Sequence, residues 1–183
     1  IARRYFDEYL QRFPDNASCL EYRARLLRDT GEYAEAVADY RRLFQLQEQP
    51  NPGNFIAVAQ MLSSDDGKDI DQALAILDIG NAKLGVTPQL QNYAIELELQ
   101  RNRPDQALLR MRALEPVMGE SPDWKVDMGE LMLSVGERAQ AEAMLDAAAL
   151  QLSTLRTTPA RLETRKRLAS LRTLLAAPVA AVK

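Results

Sequence analysis

Small and large apolar residues return along this chain at a fixed long interval. Small residues stand at Ala24, Ala59, Ala94 and Gly129, each 35 positions after the last. Three residues after each comes a large apolar side chain, Leu27, Leu62, Leu97 or Met132. Four before come Leu20, Phe55 and Leu90, and then Lys125, where the series breaks beside Trp124. A second ladder runs through Ala2, Ala36, Ala73, Ala107 and Ala141, with Phe6, Tyr40, Leu77, Met111 and Leu145 four residues beyond. Separations of three and four residues share one face of a helix, so each ladder marks the buried stripe of one helix per unit. Ala and Gly at a helix contact let two backbones approach closely, while the large residue a turn away fills the adjoining groove. Such a unit holds too little core alone, and stacked neighbours supply the burial.

The residues between the ladders punctuate the helices. Asn51-Pro52, Thr87-Pro88, Ser121-Pro122 and Thr158-Pro159 each put a capping side chain before a proline at the first helical position, and Asp15-Asn16 does so without proline. Inside each unit a short turn separates two helices, at Thr30-Gly31, at the longer Asp65-Asp66-Gly67-Lys68, at Gln100 to Arg103, and at Val135-Gly136. This predicts helices over 2–12, 17–29, 32–47, 52–64, 69–84, 88–100, 104–117, 122–135, 137–152 and 159–176. It predicts a single domain over 1–177, with a half repeat (1–16), four repeats (17–51, 52–86, 87–121, 122–156), a capping helix (157–177) and a frayed tail (178–183). The chain opens inside a helix without an initiator Met, which is expected if an upstream segment was cleaved or left out.

These units resemble the tetratricopeptide repeats, helix pairs of about 34 residues. In the first unit Leu20, Ala24, Leu27, Gly31, Tyr33, Ala36 and Tyr40 fit that family's alternation of large and small, and Phe13-Pro14-Asp15-Asn16 resembles its inter-repeat turn. Gly129, Met132, Gly136, Ala141, Leu145 and Ala148 fit nearly as well in the fourth. Arg23 stands where the family usually has Leu, the second unit carries an insertion around Asp65 to Lys68, and the third has about one extra residue before Pro104. The resemblance implies an all-α fold, a right-handed superhelical array of helix-turn-helix repeats closed by a C-terminal capping helix. It also implies a bacterial protein.

Composition narrows the chemistry. The chain of 183 residues is 46% apolar, enough to bury a core, and carries a net charge of -3. It has no histidine and one cysteine, Cys19, which removes the commonest general base, the commonest zinc ligand and any internal disulfide. Cys19 reads as a small buried apolar group. No apolar run approaches the roughly 20 residues that span a bilayer, so a soluble protein of cytoplasm or periplasm is expected. The acidic turn DDGKDID (65–71) lacks the alternating ligands and distal Glu of a calcium loop, and Asp69 or Asp71 reads better as a helix cap. Glu96 and Glu98 read as ordinary exposed helix residues. With no phosphate-binding glycine loop either, neither enzyme activity nor a cofactor or metal is expected.

The capping helix is basic, with seven Lys or Arg against Glu163 alone from Arg156 to Lys183. Leu162, Leu168, Leu171, Leu174 and Leu175 can pack inward there, while Arg161, Arg165, Lys166, Arg167 and Arg172 face water. A solvated face and a docking surface for an anionic partner both fit that charge, the first better.

In the family the first helices line a concave groove that usually binds a peptide or partner helix. The 35-residue spacing then gives three rows: Glu21, Ile56, Gln91 and Val126; Tyr22, Ala57, Asn92 and Asp127; Arg25, Gln60, Ile95 and Glu130. With Arg28, the candidate contacts are Tyr22, Arg25, Arg28, Ile56, Gln60, Gln91, Asn92, Ile95, Val126, Asp127 and Glu130, basic at one end and acidic at the other. Glu21 and Arg25 stand where the family's Lys and Asn carboxylate clamp begins, which disfavours that mode. The expected function is a non-enzymatic scaffold for a protein or peptide, with no nucleic acid. The alternatives are self-association through the incomplete N-terminal unit and electrostatic docking through the basic helix.

Overall fold

Helix ends fall where the capping residues put them. The computed structural model describes residues 2–64 and 69–177, and among them are eleven helices and no strand. They are α1 (Ala2–Arg12), α2 (Ala17–Asp29), α3 (Tyr33–Leu46), α4 (Pro52–Ser63), α5 (Ile70–Leu84), α6 (Pro88–Gln100), α7 (Pro104–Ala113), α8 (Glu115–Met118), α9 (Pro122–Ser134), α10 (Arg138–Thr154) and α11 (Pro159–Ala176). The side chains of Asn16, Asn51, Asp69, Ser121 and Thr158 each accept a backbone N–H of the first turn they precede. Thr87 differs. Its hydroxyl donates to the Gly85 carbonyl and its own N–H is held by Asn81, so it organises the preceding turn. The helix expected over 104–117 breaks at Leu114, because Pro116 has no N–H to donate and its ring crowds the carbonyl four residues back.

The turn inside each hairpin repeats one device. The N–H of Glu32 reaches back to Leu27 O at 2.8 Å, that of Arg103 to Glu98 O at 2.9 Å and that of Glu137 to Met132 O at 2.8 Å. Each is the six-to-one bond of a Schellman close. The residue before each donor sits at positive φ: Gly31 at 81°, Asn102 at 56°, Gly136 at 84°. The third turn is displaced by one residue and uses Asn, the side chain that best tolerates this conformation after Gly. In the second hairpin Leu62 O accepts from Asp69 N at 2.8 Å, so the longer connection still returns to the same carbonyl. Asp65, Asp66, Gly67 and Lys68, and the tail 178–183, lie outside the described residues.

The chain divides within α6 into two compact units, 1–94 and 95–183. In the first, α2 packs on α3 and α4 on α5. Ala24, Ala36, Ala59, Ala73 and Ala94 have no solvent exposure, and neither do Tyr40, Leu77 and Leu90. Phe44 stacks on Phe55 with ring centroids 3.9 Å apart. Gly80 lies so close to Leu90 that an added Cβ would sit 2.7 Å from its Cδ1. Three ladder positions depart from expectation. Leu62 is half-buried because Met61 takes the inward place, and on α1 Phe6 is half-buried and Ala2 exposed. Arg23 makes a forked pair with Asp39, both N–O distances 2.7 Å, and reaches Asp7 at 2.8 Å, so it ties α1, α2 and α3 together. That ion network replaces the apolar contact a Leu would supply.

In the second unit, α9 packs on α10 and α11 lies against both. One cluster joins Ile95, Met111, Trp124, Met128 and Met132, and another joins Val126, Leu145, Ala148, Leu152, Leu168 and Leu171. Gly129 is the small partner of Leu145, whose Cδ2 would be 2.7 Å from an added Cβ. Leu168 and Leu171 turn inward with Leu175 half-buried, whereas Leu162 and Leu174, expected inside, are exposed. Arg138 closes the C-terminal end of α11 by donating to the carbonyls of Leu174, Leu175 and Ala177. A cation there also meets the negative end of the helix dipole.

Candidate functional site

Each unit presents the face of its first helices, and the predicted contacts divide between the two. On α2, Tyr22 is 59% exposed, Arg25 is exposed and bonds Glu21 at 2.6 Å, and Arg28 bonds Asp29 at 2.8 Å. On α4, Gln60 is exposed and Ile56 half-buried. On α6, Asn92 is exposed, whereas Gln91 is buried with its side-chain oxygen unpaired. Polar side chains bridge these helices: Asn54 of α4 donates to Glu21 of α2 at 3.1 Å, and the hydroxyls of Ser63 and Tyr93 lie 3.0 Å apart between α4 and α6. Tyr22, Arg25, Ile56, Gln60 and Asn92 therefore offer accessible surface in this unit. Gln91 offers almost none.

The second unit corrects the sequence reading more sharply. Val126, expected to line the groove, has no exposure because α11 covers it with Leu168 and Leu171. Ile95 is also buried, at the floor of a 580 Å³ cleft lined by Met111, Asp127, Glu130, Leu131 and Arg167. Arg167 of α11 pairs with Asp127 at 2.8 Å and Glu130 at 2.6 Å, and Asp123 accepts from Thr164. The acidic end is thus largely neutralised from within, as Arg25 and Arg28 are by Glu21 and Asp29. The electrical polarity expected between the ends is correspondingly weakened. Burial pushes the Asp127 carboxyl above the usual carboxylate range and Arg167 pulls it back. The hydrogen bond to Glu130, opposed by burial, helps raise the Arg167 guanidinium.

Arg167 was not among the predicted contacts, although a signal for it exists. The small-residue ladder continues one further step of 35 from Gly129 to Thr164, which is buried. On the 35-residue spacing α11 falls in the register of a first helix, with Arg167 one turn beyond that rung. Its other cations also have acceptors: Arg165 on Leu152 O at 2.6 Å, Lys166 on Glu163 at 2.7 Å, Arg161 on Arg156 O at 2.9 Å, and Arg172 on Asp146. The free basic surface is smaller than its charge count suggests.

Glu98, expected to be exposed, is buried and pairs with Arg110 at 3.2 Å. Its partner stands on the facing helix of the same hairpin, so this carboxylate has a structural role. Burial also raises the Cys19 thiol. Among the described residues no group of three or more potential metal ligands occurs, and no helix is long and apolar enough to cross a membrane. Of the acidic turn, Asp69 caps α5 through Gln72 N, and that bond holds its carboxyl below the usual range.

These features define a helical-hairpin repeat protein. Solved structures place the fold among tetratricopeptide repeat proteins: MamA (15% identity, TM-score 0.58, 92% of this chain and 90% of that one); TTC0263, a thermophilic TPR protein of Thermus thermophilus (20%, 0.52, 94% and 89%); and YrrB, a TPR protein with an unusual peptide-binding site (14%, 0.54, 93% and 95%). No protein-family model and no curated protein matches the sequence.

Proposed function

We propose that the chain is a non-enzymatic interaction scaffold that holds a peptide or partner protein on the face of its first helices. The observation that carries this reading is the surface on α2, α4 and α6, where Tyr22, Ile56, Gln60 and Asn92 are wholly or partly accessible beside the Glu21–Asn54 bridge. An aromatic anchor, an aliphatic side chain and two free amides match what an extended or helical segment needs from a groove. The similarity to YrrB, whose peptide-binding site is unusual for a TPR protein, supports a peptide ligand. Panning a displayed random-peptide library on the parent should enrich peptides that the folded triple variant Tyr22→Ala, Ile56→Ala, Asn92→Ala no longer holds. Enrichment that survives the triple variant removes the site, and no enrichment at all removes the peptide reading.

A second reading rests on α1. Tyr5, Tyr9 and Phe13 are spaced by four residues and are 65%, 45% and 55% exposed, with the Tyr9 and Phe13 rings 5.0 Å apart. An aromatic ridge of this kind favours self-association. Light scattering over a concentration series separates the two, because only this reading gives a dimer that Tyr5→Glu with Tyr9→Glu abolishes.

A further inference from the structure

The outer surface of the first unit carries a trough between α3 and α5, away from the first-helix face. It encloses 480 Å³, with Phe44, Ala75, Ile76 and Ile79 along it and Arg41 and Lys83 at its ends. Ile79 is 47% exposed, although α5 is otherwise a well-packed second helix. The charges here differ from most cations of the unit. Arg3, Arg4, Arg23, Arg25, Arg28 and Arg42 of this unit each hold a carboxylate. Arg41 donates instead to the amide oxygen of Gln72 at 2.7 Å, and Lys83 to the backbone carbonyl of Gln47 at 2.6 Å. Neither acid of α5, Asp71 or Asp78, lines the trough. Two cations whose direct hydrogen bonds go to neutral acceptors thus flank an apolar floor, Arg41 also within the field of the Asp69 carboxylate that Gln72 bonds, and a carboxylate at either end would gain a charge-assisted bond.

The dimensions select the form of the occupant. Gln72, which Arg41 grips, and Lys83 stand eleven residues apart on α5, about 16 Å at the helical rise. Both walls are helices whose backbone groups are bonded internally, so an extended chain laid between them would find no main-chain partners. A helix brings its own hydrogen bonds and can bury a ridge of side chains. Positions i, i+4, i+7 and i+11 fall on one helix face and cover that same span.

We infer that the trough between α3 and α5 docks an amphipathic helix of a partner protein, with carboxylates at i and i+11 meeting Arg41 and Lys83 and aliphatic side chains at i+4 and i+7 seated on Ala75 and Ile79. The surface is independent of the first-helix face.

The test uses a fluorescein-labelled, alanine-rich peptide of roughly 18 residues, long enough to be partly helical. It carries Glu at i and i+11 and Leu at i+4 and i+7; a control carries Lys for both Glu. Saturable anisotropy is expected with the Glu peptide, at least ten-fold weaker with the Lys peptide. Arg41→Glu with Lys83→Glu should reverse that preference, and Ile79→Ser should weaken both peptides while circular dichroism is unchanged. Tyr22→Ala with Asn92→Ala should leave Glu-peptide binding intact. The inference is overturned if the Glu peptide does not saturate, if both peptides bind equally to the parent, or if the charge reversal has no effect. A concentration-dependent dimer abolished by Ile79→Ser, without peptide binding, would overturn it in favour of a second copy of this chain.

Discussion

Arg23 offers the sharpest test of how the first unit holds together. Its guanidinium forks onto Asp39 with two 2.7 Å bonds and reaches Asp7 at 2.8 Å. The Asp39 side chain is only 9% exposed and that of Arg23 22%, whereas Asp7 keeps 39%. In Arg23→Met, Asp7 can turn to water but Asp39 cannot, so the cost is that of a carboxylate left buried without its cation. Breaking such a pair usually costs about 3–5 kcal/mol, and the partial exposure of Arg23 sets the expectation at about 2–4 kcal/mol. Replacing both partners by apolar groups, Arg23→Met with Asp39→Leu, removes the orphaned charge and should recover most of the loss. Asp7→Asn should cost at most about 1 kcal/mol, as exposed pairs do. The assay is urea unfolding followed by circular dichroism on the four proteins of the cycle and on Asp7→Asn. A coupling between positions 23 and 39 of less than about 0.5 kcal/mol would show that Arg23 stabilises by packing its stem and not by its charge.

Three further outcomes follow from the same packing. Ala59→Leu and Ala94→Leu should each destabilise by about 1–3 kcal/mol in thermal unfolding, because both sites have no exposure and extra methylenes must push helices apart. Melting within error of the parent would mean that these contacts can open freely. Gly80→Ala gains about 1 kcal/mol of helix propensity but brings a methyl within 2.7 Å of Leu90 and 3.0 Å of Phe55, so a net loss is expected, and a stabilised variant refutes it. Arg167→Ala removes the charge that opposes burial at Asp127, so that carboxyl should rise further in a carbon-13 NMR titration, and an unmoved midpoint refutes the pairing. Because the folded value would lie above the unfolded one, the variant should lose stability as pH rises through it.

The fold was legible because several independent signals repeat at one interval. Ala24, Ala59 and Ala94 are each wholly buried, and caps at Asn51, Ser121 and Thr158 start helices where the sequence places them. The turns tolerate an insertion and a one-residue shift because the closing bond still returns to a carbonyl at the end of the first helix, at Leu62 and at Glu98, and in the shifted turn Asn102 takes the positive φ. The face was less legible, since a 35-residue map assigns a helix side but not what lies over it. Val126 occupies the same row as Ile56, yet α11 covers one and leaves the other half open. Ionic contacts were hardest to read, because Arg23, Glu98 and Arg167 each find their partner on another helix. Composition counts such charges as solvated, while packing assigns them work. The basic count of α11 is the clearest case: charge that suggests an outward docking surface is turned inward, onto carbonyls and onto the acids of α9.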